Sequence, residues 1–427
     1  MIKKSRATFV NLELLNNPHK TILMAQDKDQ KTLNVPPLRF PGFSDEWKKT
    51  TLGEIGSGFN YGLNAPAKEF DGVNKYIRIT DIDDSSGAYI KDNEVSPNGI
   101  LTQDYIVQDN DILLARTGAS TGKSYLYNPN DGKLYFAGFL IRFNVSSANP
   151  YFVYSILHTR NYWKWVSIMS ARSGQPGINS QEYSSYSLNI PSQEEQDRIA
   201  SLLQLLDERI ATQNKIIDNL QSLIKGIIQH IIRVGLEKGM WQNVLLSEVL
   251  QERNELNKEY YSIHSVSVSV GIVNQVEYLG RSFAAKDTAH YHVVRYGDIV
   301  YTKSPTGNQP YGIIKQSFCQ NPVAVSPLYG VFEPISFEIG NILHYYFLNP
   351  LNTNNYLLPL IQKGAKNTIN ITNRRFLENS IPLPISNDEI TSVSKTLSSL
   401  SSKIEVETNT LDLLLIQKRY FLNQLFI

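Results

Sequence analysis

Two stretches of this chain carry a core-type residue at alternating steps of four and three. Ile199, Leu203, Leu206, Ile210, Gln213, Ile217, Leu220, Ile224, Ile227 and Ile231 form the first series. Val393, Leu397, Leu400, Ile404, Glu407, Leu411, Leu414, Lys418, Phe421 and Leu425 repeat it 194 residues later. An average step of 3.5 is the seam of a coiled coil. Even the polar interruption coincides, Gln213 against Glu407. Each series is preceded by a Ser-x-x-Glu capping box, Ser192 with Glu195 and Ser386 with Asn387, Asp388 and Glu389 behind it, in which the serine caps an early N–H and the glutamate reaches back. Each stretch predicts a helix of roughly 40 residues, on the order of 60 Å long. Two matched seams of this length predict that the helices pair with each other, antiparallel and about a pseudo-twofold axis, with a globular head at each end. Leu203, Leu206, Ile210, Gln213, Ile217 and Leu220, with Leu397, Leu400, Ile404, Glu407, Leu411 and Leu414, are the residues expected to pair the helices.

Between these helices the pattern shortens to period two, broken by turn residues. Tyr76-Ile77-Arg78-Ile79-Thr80 and Asp111-Ile112-Leu113-Leu114-Ala115 read as strands, Asp84-Ser85-Ser86-Gly87 and Asn128-Pro129-Asn130-Asp131-Gly132 as turns. A helix is expected over Tyr151 to Trp165, after Asn149-Pro150. The order recurs from Trp241, which lies 194 residues after Trp47: a strand around Ser262 to Val273, then Gly297-Asp298-Ile299-Val300-Tyr301, then a helix near Ile339 to Leu348. Asp111 answers to Asp298 and Asn179 to Asn370. The chain is thus a duplication, with a mixed α/β (α+β) fold of two tandem strand and helix recognition domains separated by the long helices. The expected division is an N-terminal extension over 1–39, a first recognition domain over 40–191, a helical spacer over 192–238, a second domain over 239–385 and a second helical spacer over 386–427.

Composition narrows the function. Its 427 residues suffice for two cores, and the single cysteine, Cys319, excludes a disulfide framework or a zinc site built on several thiolates. No secretory pattern and no run of eighteen apolar residues occurs, so a cytoplasmic, soluble protein is expected. The formal charge of +1, from 41 basic and 40 acidic residues, is weak for a nucleic-acid binder as a bulk property. Any phosphate contact must come from local patches or from a partner.

Catalytic patterns fail one by one. Gly118-Ala119-Ser120-Thr121-Gly122-Lys123-Ser124 suggests a phosphate loop, but a first glycine would have to stand where Thr117 is, and a strand follows where a helix is required. The counterpart in the second half, from Ser304 to Gln309, has no lysine. Asn149-Pro150-Tyr151-Phe152 lacks the second proline and the glycine-rich neighbour of an amino-methyltransferase, Gly56-Ser57-Gly58 stands alone, and Asp83-Asp84 sits in a solvated turn. The seven histidines have no helical i, i+4 partner suited to zinc. The same glycine-permitted loops instead offer hydrogen-bond donors: Arg116, Thr117, Ser120, Thr121 and Lys123 in one half, Lys303, Ser304, Thr306, Asn308 and Gln309 in the other. A second pair of polar loops precedes each helix, with Arg172, Ser173 and Gln175 in one and Lys363, Lys366 and Asn367 in the other. Arg, Asn and Gln suit base edges, whereas Lys, Ser and Thr suit phosphates. These are the candidate DNA-binding residues.

Leu38-Arg39-Phe40-Pro41-Gly42-Phe43, the Asp-Ile strands, and Ile190-Pro191-Ser192-Gln193-Glu194-Glu195-Gln196 leading into the first seam resemble the DNA specificity subunit of type I restriction–modification systems. The likeness covers the chain from about residue 38, and the second helix start is degenerate, with Ser392 where glutamine is expected. The resemblance implies a non-catalytic subunit whose two target recognition domains each read one half of a bipartite asymmetric double-stranded DNA site. It implies helices that set the spacer and dock two modification (methyltransferase) subunits, with restriction subunits joining the complex. No cofactor is expected on this chain; S-adenosylmethionine, ATP and magnesium belong to those partners. The rival expectations are a coiled-coil scaffold with protein-binding heads and a nucleotide-binding enzyme.

Overall fold

The computed structural model describes residues 33–171, 176–282, 284–303, 306–307, 309–363 and 369–427, which divide into two compact units, the first running to residue 202 and taking in 421–427, the second covering 203–420. In the first unit, strand β1 (Lys48–Thr51) is followed directly by the one-turn helix α1 (Leu52–Ile55) and strand β2 (Gly56–Tyr61). The central sheet adds β3 (Asp111–Ala115), β4 (Ser124–Leu126) and β5 (Leu140–Val145) in the antiparallel order β2-β5-β3-β4. All five residues of β3 are buried, because this strand is internal and covered on both faces. A separate parallel pair, Lys75–Ile77 with Leu134–Phe136, packs Ile77 and Phe136 into the core with Leu113 and Leu140.

Helices α2 (Pro150–Ile156) and α3 (Arg160–Ser170) stand where one helix was expected. The break is chemical: Asn149 caps the first helix, and Thr159 accepts the Tyr162 N–H to start a second. The unit closes with α4 (Ser180–Ser184) and β6 (Ser187–Ile190), which pairs antiparallel with β1. Phe426, near the chain's end, packs in this unit against Trp47 and Phe152, at ring separations of 6.4 and 5.3 Å.

From residue 193 the chain runs into the long helix α5 (Gln193–Glu237), whose part from Leu203 belongs to the second unit. There, β7 (Trp241–Leu245), α6 (Leu246–Val249) and β8 (Leu250–Glu252) repeat the opening. With β9 (Ile299–Tyr301), β10 (Ile314–Gln316) and β11 (Gly330–Pro334), β8 forms a sheet ordered β8-β11-β9-β10, the topology of the first unit. Helices α7 (Phe337–Tyr346), α8 (Pro350–Leu357) and α9 (Asn373–Phe376), then β12 (Ser380–Pro384) on β7, complete the repeat. The strand expected over Ser262 to Val273 is a hairpin, His264–Ser267 with Gly271–Asn274. Its return strand starts at Gly271, whose φ of +92° most side chains resist. The α4 counterpart is capped by Thr372, so element order makes Thr372 the partner of Asn179, where sequence spacing suggested Asn370.

Within the second unit, α5 and α10 (Asn387–Gln424) run antiparallel: Asp207 meets the Lys418 ammonium at 2.6 Å, and Gln213 Nε2 donates to Glu407 Oε2 at 2.6 Å. Ile224 is packed in one cluster with Val393 and Leu397. Leu203, Leu206, Ile210, Gln213 and Ile217 are buried and Leu220 half-buried; opposite them Leu397 and Leu414 are buried and Leu400, Ile404, Glu407 and Leu411 half-buried. The antiparallel seam is therefore present as the sequence pattern predicts. Beyond Ile224 the buried positions become Ile228 and Ile232, a step of four that departs from the expected Ile227 and Ile231. There the helix leaves its partner's heptad register and packs against Trp241 and its neighbours, where a straight 3.6-residue repeat governs.

Neither capping box is complete, and only the second keeps its serine half. Ser386 Oγ accepts the Glu389 N–H at 3.2 Å, but Glu389 Oε1 accepts from the Trp241 indole N–H at 2.7 Å. In the first unit Glu195 receives a two-pronged Arg39 guanidinium, both contacts 2.7 Å. Buried interactions across the fold have outcompeted the local one. Among the described residues no helix is long and apolar enough to cross a membrane.

Candidate nucleic-acid interface

The candidate loops are placed by the strands they follow. Asp111, at the start of β3, is buried and accepts from the Gln108 backbone N–H at 2.7 Å and Asn144 Nδ2 at 2.9 Å. Asp298, just before β9, is likewise buried and accepts from the Arg295 N–H at 2.8 Å and Arg253 Nε at 2.8 Å. Burial pushes both carboxyls above the usual carboxylate range, against the opposing pull of these donors. Each aspartate clamps the turn entering its strand. Five residues on, the strands deliver Arg116 and Lys303 to the same topological position.

In the first unit the Arg116–Lys123 segment is a 3₁₀ turn over Gly118–Ser120 followed by β4, so no phosphate-loop strand–loop–helix geometry forms. The Arg116 carbonyl accepts from Ile178 N, and the Gly118 N–H donates to the Pro176 carbonyl, both at 3.0 Å. Arg116 Nε donates to the Gly138 carbonyl at 3.1 Å, and its guanidinium lies 4.9 Å from the Tyr61 ring centre and 6.0 Å from that of Phe139. Thr117 and Ser120 are half-buried. Thr121 is buried and donates to the Gly118 carbonyl at 2.8 Å, closing the turn. Lys123 is ion-paired with Asp84. Arg116, Thr117 and Ser120 are therefore brought together, while Thr121 and Lys123 have partners inside the fold.

In the second unit Thr306 and Gln309 exchange backbone hydrogen bonds of 3.0 and 2.9 Å. Gln309 is buried, with Oε1 lacking a partner among the described residues. Gly312, with φ of +111°, lies so close to the Thr302 carbonyl that a Cβ would come within 1.8 Å, so this loop tolerates glycine alone. Lys303 is half-buried, and burial lowers its ammonium pKa against the pull of Glu252. Beside it, burial also lowers the His292 imidazole, whose Nδ1 has no partner among the described residues. Ser304 and Asn308, and in the later loops Arg172, Ser173, Gln175, Lys366 and Asn367, lie outside the described residues; for Lys363 only the backbone, in a short strand paired with Ile369–Asn370, is described.

Sequence reasoning missed Tyr61 and Phe139 around Arg116, and His292 and Glu252 around Lys303. The β2-β5-β3 and β8-β11-β9 orders set Tyr61, Phe139 and Glu252 relative to their cations, while His292 stands in a separate strand pair with Val323–Val325. Among the described residues no group of three or more His, Cys, Asp or Glu side chains is arranged to hold a metal ion.

Residues 44–222 match the family model described as the type I restriction modification DNA specificity domain. Among solved structures, the S subunit of a type I restriction-modification system from M. genitalium aligns over 92% of this chain and 99% of its own, at 14% identity and a TM-score of 0.57. The HsdS subunit from Thermoanaerobacter tengcongensis aligns over the same shares at 16% identity and a TM-score of 0.38. The M. genitalium likeness establishes the fold.

Proposed function

We propose, on the match of residues 44–222 to the type I restriction modification DNA specificity domain, that this chain reads double-stranded DNA at two half-sites, one for each unit, and is the sequence-selecting subunit of such a complex. Specificity subunits of that family are non-catalytic, and the chemistry falls to partners: two modification subunits that methylate adenine, joined by restriction subunits, acting in the cytoplasm. S-adenosylmethionine, ATP and magnesium belong to those subunits. One observation carries the reading. The two units share a topology down to the clamped aspartate and the cation five residues after it, yet the cation differs in kind and setting: an arginine against the Tyr61 and Phe139 rings in one, a half-buried lysine under the charge of Glu252 in the other. Equivalent supports with dissimilar contact chemistry suit unlike half-sites.

The paired helices supply the spacer and the docking surface in this reading. Off the seam, Val406, Leu413 and Tyr420 recur every seven residues on α10 and are exposed, as are Leu205, Ile216 and Leu223 on α5. Large apolar side chains repeated along an exposed helical face favour a protein partner over water. Near-neutral charge is consistent with partners contributing much of the phosphate contact.

The test maps methylated adenines in cells that carry the modification subunits, with and without this chain. A bipartite motif that depends on the chain is expected. Replacing residues 40–191 with the matching block of a related subunit changes one half-site and leaves the other. Methylation identical with and without the chain rejects the proposal.

A further inference from the structure

Beside the β3 loop the first unit contains a cleft of about 700 Å³, lined by Tyr61, Asn64, Arg78, Arg116, Gly138 and Phe139 among others. Its wall is set by backbone: a Cβ on Gly62 would stand 2.3 Å from the Ala137 carbonyl oxygen, so the chain passes closer there than a side chain permits. Two large aromatics flank the opening, Tyr61 at 43% exposure and Phe139 at 59%. Aromatic rings left in water at the mouth of a cleft lose the burial that would otherwise place them in the core.

Between them lies a cation prepared for a ligand. Arg39, Arg78 and Arg142 of this unit each have a carboxylate within 4 Å, namely Glu195, Asp81 and Asp111. Arg116 has none among the described residues; Arg78, on the same cleft, is held at 2.7 Å by Asp81. The Arg116 guanidinium is nonetheless fixed. Its Nε is used by the Gly138 carbonyl and its face by Tyr61, whose hydroxyl in turn accepts from the Ser180 N–H at 3.3 Å. With Nε engaged, the edge left for a ligand is the Nη1–Nη2 pair. Two parallel donors on a planar, pre-oriented fork match the O6 and N7 acceptors that only guanine presents together in the major groove. A phosphate can take the same fork, but its contact carries no base sequence, so sequence dependence tells the two apart.

We propose that Arg116 is the specificity-determining residue of the first unit and reads one guanine of its half-site, with Tyr61 and Phe139 as positioning residues that hold the guanidinium plane. The inference rests on the DNA-reading function proposed above and adds the base and the atoms. Tyr61 acts through its ring face, so its hydroxyl is dispensable for reading.

The experiment uses the full chain assembled with its modification subunits, after the half-site lost on exchange of residues 40–191 has been mapped. Synthetic duplexes carry 7-deazaguanine at each guanine of that half-site in turn, which removes N7 alone. One such replacement is expected to weaken binding of the unaltered complex on the order of 5- to 100-fold, and to leave binding by an Arg116→Ala complex nearly unchanged. In cells, Arg116→Lys and Tyr61→Ala relax methylation at that same position while the other half-site and the spacer stay as they were; Tyr61→Phe leaves the motif intact. A first-unit half-site without guanine overturns the inference. So does uniform weakening across all sequences with a shallower salt dependence, which marks a phosphate contact. Absence of any chain-dependent motif in the parent complex strikes instead at the functional reading, so the two failures are distinguishable. Thermal unfolding of each variant separates misfolding from altered reading, and the deazaguanine series on the unaltered complex tests the guanine contact without any substitution.

Discussion

Glu195 and Glu389 stand at the same place in the two copies, one turn into each long helix, and have taken different partners. Glu195 is buried beneath Arg39, which holds both its oxygens; Glu389 accepts from Trp241. Breaking a buried pair leaves an uncompensated charge, whereas removing both charges restores much of the loss. Arg39→Met is therefore expected to destabilise the protein by about 3 kcal/mol or more, and the double variant with Glu195→Gln to recover most of it, as read by denaturant unfolding. Additive losses in the double variant count against the pairing. His344 offers a second residue-scale outcome. Burial, with the nearby Lys315, pushes its imidazole down to about 3, and its neutral Nδ1 accepts the Gln316 N–H at 3.0 Å. Between the ordinary value of 6.5 and about 3, the unfolded chain binds a proton that the folded one does not. This contribution to stability is full above pH 6.5 and is lost as pH falls through that window, by at most about 1.4 kcal/mol per pH unit. His344→Asn keeps an acceptor without a titrating group, so unfolding measured from pH 7.5 to 5 should show a flatter dependence. Neither arrangement was legible in the chain. Arg39 lies 156 residues from Glu195, and the capping box the sequence suggests is the weaker of two uses for the same carboxylate.

The element scale was the most legible, because a seam is a local repeat that needs no knowledge of the fold. Its limit is equally physical. The seam predicts burial as far as Ile224, where the facing helix decides, and misplaces it at Ile227 and Ile231, where the core around Trp241 decides. Two glycines of α5 separate those regimes. Gly226 has open space where a Cβ would go, while a Cβ at Gly235 would lie 2.0 Å from Cδ1 of Trp241. In a free helical position Gly→Ala gains on the order of 0.5–1 kcal/mol. Overpacking against a buried ring costs about 1–3 kcal/mol. Gly226→Ala should raise the unfolding midpoint and Gly235→Ala lower it, in the same helix and for the same chemical change. Equal shifts would mean that the indole moves aside without cost. The candidate loops were legible as a class, since the offset from Asp111 to Asp298 recurs from Arg116 to Lys303. Which of their residues face a ligand was not, because Thr121 turns inward and Lys123 finds Asp84 through contacts set by the sheet.

For the whole molecule, the functional proposal makes the helix pair the element that fixes the spacer, and the antiparallel register says how to change it. Asp207 meets Lys418 and Gln213 meets Glu407, so the segments 210–216 and 404–410 lie opposite one another. Deleting both removes one heptad from each seam. It preserves the four-three phase on either side; Gln213 and Glu407 leave together, and Lys403, which loses Glu407, is exposed to solvent. The pair shortens by about 10 Å at 1.5 Å per residue, equivalent to roughly three base pairs at 3.4 Å each. Methylation mapped in cells should then show both half-sites unchanged, with a spacer shorter by that amount or with methylation lost because the assembly no longer fits its DNA. Deleting 210–216 alone shifts every seam residue on one side against an unshifted partner, leaving Glu407 without Gln213, and is expected to cost both stability and methylation. Altered half-sites with an unchanged spacer in the double deletion would remove the helices from the role proposed for them, since the units would then be reading DNA independently of the element that joins them in the chain.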